Sequence, residues 1–206
     1  IFSMLYLVGA VFGIVVTIAG LLLVGPASAK MGAEGSLYQL CMDYGLVIMM
    51  FMLPIVIMEM SASFYVAAGK PMVGLVVSLV SGCLNIGLDA LFIVGMKMGV
   101  LGAAWGTGLA SLAGGVIPVI YFLQRKNKLL FFSKPLWDMR ALGKACVNGI
   151  SEFVTNVSAS VVVVLYNYQL MRYLGPDGVA AYSAIDYINF IFVAIFLGYT
   201  MGTEPL

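Results

Sequence analysis

The sequence predicts an all-α integral membrane protein, a polytopic bundle of helices. The first observation behind this is composition. Hydrophobic residues make up 63% of the 206, charged residues only 9%, and mean hydropathy is +1.09. A soluble domain needs far more charge to cover its surface. The second is the length of the uncharged runs at 1–29, 71–88 and 98–124, because a helix needs roughly 20 mostly apolar residues to cross a bilayer. The third is their pattern. Lipid offers no partner to open backbone groups, so only helices and closed barrels span it. Barrel strands would be about half as long and would alternate apolar with polar residues.

Six membrane helices follow in order. The first spans about 1–25 and ends at Gly25-Pro26; the second spans about 37–66, with a kink near Pro54. The third, about 71–95, and the fourth, about 100–123, are joined by a tight hairpin from Gly95 to Gly99. A polar connector at 124–139 carries Arg125, Lys126, Lys128, Lys134 and Asp138. The fifth helix spans about 140–173 and the sixth about 179–203, with Leu174 to Gly178 between them. Gly102 and Gly106 have GxxxG spacing, which favours close helix packing. The chain opens inside one apolar run and stops after another at Glu204-Pro205-Leu206, the pattern expected of a partial chain. The first run has no basic flank and is too long for a cleaved signal peptide.

Lysine and arginine set the expected topology. One side of the membrane receives Lys70, Arg125, Lys126, Lys128, Lys134, Arg140 and Lys144, and the other receives Lys30, Lys97 and Arg172. The richer side is the cytoplasmic one, which places chain start and chain end there. Net charge of +1 gives no general field for a nucleic acid. Cys41, Cys83 and Cys146 have no paired spacing, so neither a disulfide nor a zinc site is implied. Histidine is absent, so proton or cation chemistry falls to carboxylates and neutral oxygens.

Ionisable groups inside the bilayer mark functional sites by default. Asp89 is the foremost, with Asn85 one turn before it on the same face. Thr107 returns up the fourth helix at similar depth, counted from the hairpin at ~1.5 Å per residue. An acid, an amide and a hydroxyl would thus share one pocket, where the acid could load and release a proton. The fifth helix carries Asn148, Glu152 and Asn156 at every fourth position, with Asn167 deeper. Glu152 fits a cavity or a surface pair with Lys144 equally well. Glu59 in the second helix and Asp186 in the sixth, beside Tyr187 and Asn189, are further cavity-lining candidates. Asp43 lies near the outer start of its helix, where water suffices.

These residues also resemble a family. Asn85-Ile86-Gly87-Leu88-Asp89, then Gly99-Val100-Leu101-Gly102-Ala103-Ala104 and Thr107, resemble the multidrug and toxic compound extrusion (MATE) transporters. So does Ala68-Gly69-Lys70-Pro71 between two helices. Asn148 to Phe153 with Asn167 is similar to the family's seventh helix in a bacterial subgroup, and Gly178 to Tyr182 with Gly198 to Leu206 to its eighth. The resemblance runs in order along essentially the whole chain.

It implies twelve helices in two six-helix lobes, of which this chain holds the third to the eighth. Residues 1–123 would belong to the amino-terminal lobe, 124–139 to a cytoplasmic inter-lobe loop and 140–206 to the start of the carboxy-terminal lobe. It implies a plasma-membrane antiporter, monomeric when full length and without a cofactor, that exports cationic amphipathic drugs or dyes against protons or sodium. Asp89, Asn85 and Thr107 match the family's ion pocket, whose other aspartate belongs to a helix outside this chain. Two departures stand out. Ala67 occupies a position where the family often has arginine. The carboxy-terminal acid of some sodium-coupled members lies deeper than Glu152, nearer Ser160, which favours proton coupling here.

Three rivals are weaker. A flippase for lipid-linked saccharides, from the same wider superfamily, would line its cavity with basic residues, whereas the buried charges here are acidic. A membrane enzyme needs a nucleophile, base or metal set, and none is evident. An inactive truncated membrane protein would lack the helix-one aspartate upstream.

Overall fold

The computed structural model describes residues 1–124 and 129–203, apart from the side chains of 197 and 200–203. Arg125, Lys126 and Lys128 of the connector, and the Glu204-Pro205-Leu206 end, lie outside the described residues. Helices follow one another throughout: α1 (Phe2–Lys30), α2 (Gly35–Met50), α3 (Met52–Ala67), α4 (Pro71–Asp89), a π-helical turn (Ala90–Gly95), α5 (Gly99–Leu123) and α6 (Met139–Thr203). Among the described residues, four helices are long and apolar enough to cross a membrane, and the bent α2–α3 pair makes a fifth span. The longest is interrupted at Gly175 (φ 67, ψ −162). That break divides α6 into limbs 139–174 and 176–203, which the six-helix reading counts separately.

The boundaries differ from expectation where proline is involved. The first helix does not stop at Gly25 but continues through Pro26 to Lys30. Proline removes one hydrogen bond, whereas ending the helix in lipid would strand several backbone groups. The kink expected near Pro54 falls at Phe51, where α2 and α3 diverge by 53°. The Pro54 ring clashes with the carbonyl four residues earlier, that of Met50, and α2 ends at that residue. The five-residue link at 174–178 contracts to Gly175 alone. Only glycine accepts its backbone angles, and Pro176 suits the first position of the helix that follows.

The chain forms two compact units, Ile1–Cys146 and Val147–Leu206. In the first, α5 is the central helix, packed on α2, α3, α4 and the π turn. Its sequence explains why. Gly102, Gly106, Ala110 and Gly114 recur every four residues, and a second stripe runs through Ala104, Gly108, Ser111, Gly115 and Pro118. Small residues let backbones approach, and van der Waals packing and hydrogen bonds then supply the association energy that lipid withholds. The first stripe meets Phe92, Asp89 and Ser81, and the second meets Phe51 and the Pro54 carbonyl.

The far end of this unit is closed by rings. Phe2, Phe64, Tyr65, Phe122 and Phe132 pack at centroid separations of 4.8 to 6.4 Å. The described part of the connector is fastened there: Phe132 N–H donates to the Phe122 carbonyl (3.1 Å) and Ser133 N–H to Ser3 Oγ (3.0 Å). Asp138 Oδ1 then accepts from Arg140 N–H (2.9 Å) and Ala141 N–H (3.1 Å), capping the start of α6.

Candidate functional site

Helix α4 presents Ser78, Ser81, Asn85 and Asp89 at intervals of three and four residues, a single polar stripe on an otherwise apolar helix. Such a stripe turns away from lipid, and each member has a structural position. Ser81 is buried, and its hydroxyl donates to the Ala110 carbonyl of α5 (2.7 Å). One turn later, Asn85 Nδ2 donates to Thr107 Oγ1 (3.3 Å). One turn further, the carboxyl of Asp89 lies on Gly106, in space that any side chain at 106 would occupy.

Asp89 Oδ1 is buried and has no hydrogen-bond partner. Immediately after it the backbone passes into the π-helical turn at Ala90–Gly95. That turn closes the helix and leads into the hairpin to α5.

Beside the Asn85–Thr107 pair opens a cleft of about 360 Å³. Glu59 of α3 lines it together with Ser78, Ser81, Asn85, Thr107 and Ser111. Among the described residues, the cleft thus holds one carboxylate, one amide and four hydroxyls, with no cationic group. Glu59 is exposed to it, whereas Asp89 sits half-buried on Gly106. The three serines were not singled out in the sequence; their i, i+3 and i+7 relation to Asn85 in α4 was the available signal for Ser78 and Ser81.

The second unit separates the remaining candidates into two groups. Asn148, Glu152 and Asn156 are exposed on the first limb of α6. Asn156 Nδ2 donates to the Glu152 carbonyl (2.8 Å) and to its Oε1 (3.4 Å). Thr155 and Ser160 likewise donate to carbonyls four residues back, at 3.0 and 2.9 Å. This stripe satisfies much of its own polarity along one helix. Asn167 and Asp186, by contrast, come together in a pocket of about 330 Å³ between the two limbs, with Tyr182 and Tyr187.

Comparison with known proteins matches this architecture. No family model matches the chain. The multidrug export protein MepA of Staphylococcus aureus (strain NCTC 8325 / PS 47) is 30% identical over 206 residues, 96% of this chain and 44% of the relative. MepA of Staphylococcus haemolyticus (strain JCSC1435) is 29% identical over 202 residues, 95% of this chain and 43% of the relative. An inward-facing multidrug resistance MATE family transporter of the MOP superfamily superimposes with a TM-score of 0.87 at 20% identity, covering 94% of this chain and 44% of that one. By sequence the chain is similar to the MepA multidrug export proteins, and its fold is that of a MATE transporter structure. A second MATE structure, in a bent conformation, gives a TM-score of 0.78 over the same 94% and 44%, again at 20% identity. The chain therefore spans a little under half the length of the MATE relatives it matches.

Proposed function

We propose that the protein is a secondary active multidrug exporter of the plasma membrane, moving cationic amphipathic compounds outward in exchange for protons. The observation that carries this reading is the buried carboxyl oxygen of Asp89, unpartnered on Gly106 and one turn from the Asn85–Thr107 pair. A charged aspartate within a membrane helix is costly, by up to about 3 kcal/mol at the helix centre on insertion scales. Binding a proton, or a cation, removes that cost, so the site favours the loaded state from whichever side it faces. Sodium is the other candidate ion. A single unpartnered carboxyl oxygen needs only one proton, whereas a sodium ion needs several oxygens around it. No cofactor has a role.

Alternating access then links the two fluxes. Loading of Asp89 would accompany rocking of the two six-helix lobes, and the cargo would leave outward as the acid is neutralised. The reading places both ends of this chain on the cytoplasmic side of a twelve-helix monomer. The MepA relatives are named as multidrug export proteins, which supports efflux over the flippase reading. The acidic lining of the cleft supports cationic over anionic cargo.

The test expresses the complete coding sequence in a host lacking its own drug pumps and follows ethidium accumulation with and without an uncoupler. Low accumulation that rises with the uncoupler is expected. Accumulation unaffected by expression would refute export of cationic dyes.

A further inference from the structure

The pocket within the second unit has a chemistry of its own. Val163 and Asn167 lie four residues apart on the first limb of α6, while Tyr182, Asp186, Tyr187 and Phe190 form one face of the second. We infer that this pocket binds an aromatic organic cation, with Asp186 as its counter-ion and Tyr182 and Tyr187 as its walls. The inference rests on the reading of the protein as an exporter of cationic compounds, and it names where that cargo is held.

Charge comes first. Among the described residues, Asp186 is the only charged one lining the pocket, and no lysine or arginine lines it. It lies eleven residues beyond Gly175, about 16 Å along the helix, near the mid-depth of a ~30 Å hydrocarbon core. Asn167 lies eight residues before Gly175, about 12 Å along the other limb. At such depth a carboxylate calls for a positive partner.

Hydrogen bonding points the same way. Asn167 Oδ1 is buried and accepts from no donor. The Ser183 hydroxyl, which also lines the pocket, is already given to the Val179 carbonyl (2.9 Å). The pocket therefore offers a carboxylate and an unpaired amide oxygen as acceptors, which suits cations and N–H groups.

The rings decide between an organic and an inorganic cation. Tyr182 stacks on Tyr166, with centroids 5.6 Å apart and planes 3° from parallel, so its ring is held in a fixed orientation. Rings so held attract a delocalised cation and stack on its plane. One carboxylate and one amide oxygen among aromatic walls make a poor shell for a metal ion. A volume of about 330 Å³ matches a few fused rings.

The experiment titrates ethidium into the purified complete protein and follows its fluorescence polarisation. Asp186→Asn should weaken binding by about tenfold, equivalent to about 1.4 kcal/mol. Asp186→Glu, which keeps the charge, and Glu34→Gln, on an exposed turn far along the sequence, should bind as the parent does. Tyr182→Leu should weaken binding and Tyr182→Phe should preserve it, which separates loss of the ring from misfolding. Undiminished ethidium binding by Asp186→Asn would overturn the pocket assignment and leave cationic cargo standing. A parent protein that does not bind ethidium would overturn both.

Discussion

The carboxyl of Asp89 lies against the bare backbone of Gly106, in the place where a side chain at 106 would stand. This relationship couples the packing of α4 on α5 to the position of the acid. Substituting Gly106→Ala forces either the carboxyl or the helix to move. The expected outcome is loss of most ethidium efflux with expression and membrane insertion retained, measured by accumulation in cells and by immunoblot of membranes. Gly143→Ala, on open space and away from this helix pair, should be nearly silent.

The Asn85–Thr107 hydrogen bond orients the amide one turn from the acid. Thr107→Val removes the acceptor at nearly constant shape and should cost about 1 kcal/mol, the ordinary net worth of such a bond. Thr107→Ser should retain it. Thermal unfolding of the purified protein, run beside efflux rates for both variants, checks the pair.

Close packing on the second small-residue stripe predicts a different sensitivity. A methyl group at Gly115 would come within 2.8 Å of the Pro54 carbonyl oxygen, which belongs to the backbone and cannot swing aside. Gly115→Ala should therefore destabilise the protein by about 1–3 kcal/mol, the usual cost of overpacking. A lowered unfolding midpoint with normal efflux at low temperature is the expected pattern.

Tyr65 supplies the opposite case. Its residue is 1% exposed, yet its hydroxyl has no hydrogen-bond partner. An unsatisfied buried hydroxyl costs about 1–3 kcal/mol. Tyr65→Phe keeps the ring stacked on Phe122 and removes that cost, so its unfolding midpoint should rise.

Much of this arrangement was legible in the sequence because it follows from counting. The Gly95 to Gly99 hairpin fixes which residues of α4 and α5 share a depth, and the structure pairs Asn85 with Thr107. GxxxG spacing at Gly102 and Gly106 marked the packing face, although it continues to Ala110 and Gly114. Rotation about each helix axis was less legible, since it depends on neighbours rather than on spacing. That is why the company Glu59 keeps in the cleft, and the meeting of Asn167 with Asp186, emerge only from the fold. Proline effects were displaced rather than missed: the break lies at Phe51, ahead of Pro54, because the ring acts on the preceding turn. The fastening of Phe132 and Ser133 onto the first unit left no periodic trace at all.

The most direct test of Asp89 as the coupling group uses the complete protein in liposomes loaded with a pH-sensitive dye. Ethidium added on one side under an imposed pH gradient should drive proton movement with the parent protein, and none with Asp89→Asn. Proton movement that persists in Asp89→Asn at the parent rate would contradict the account.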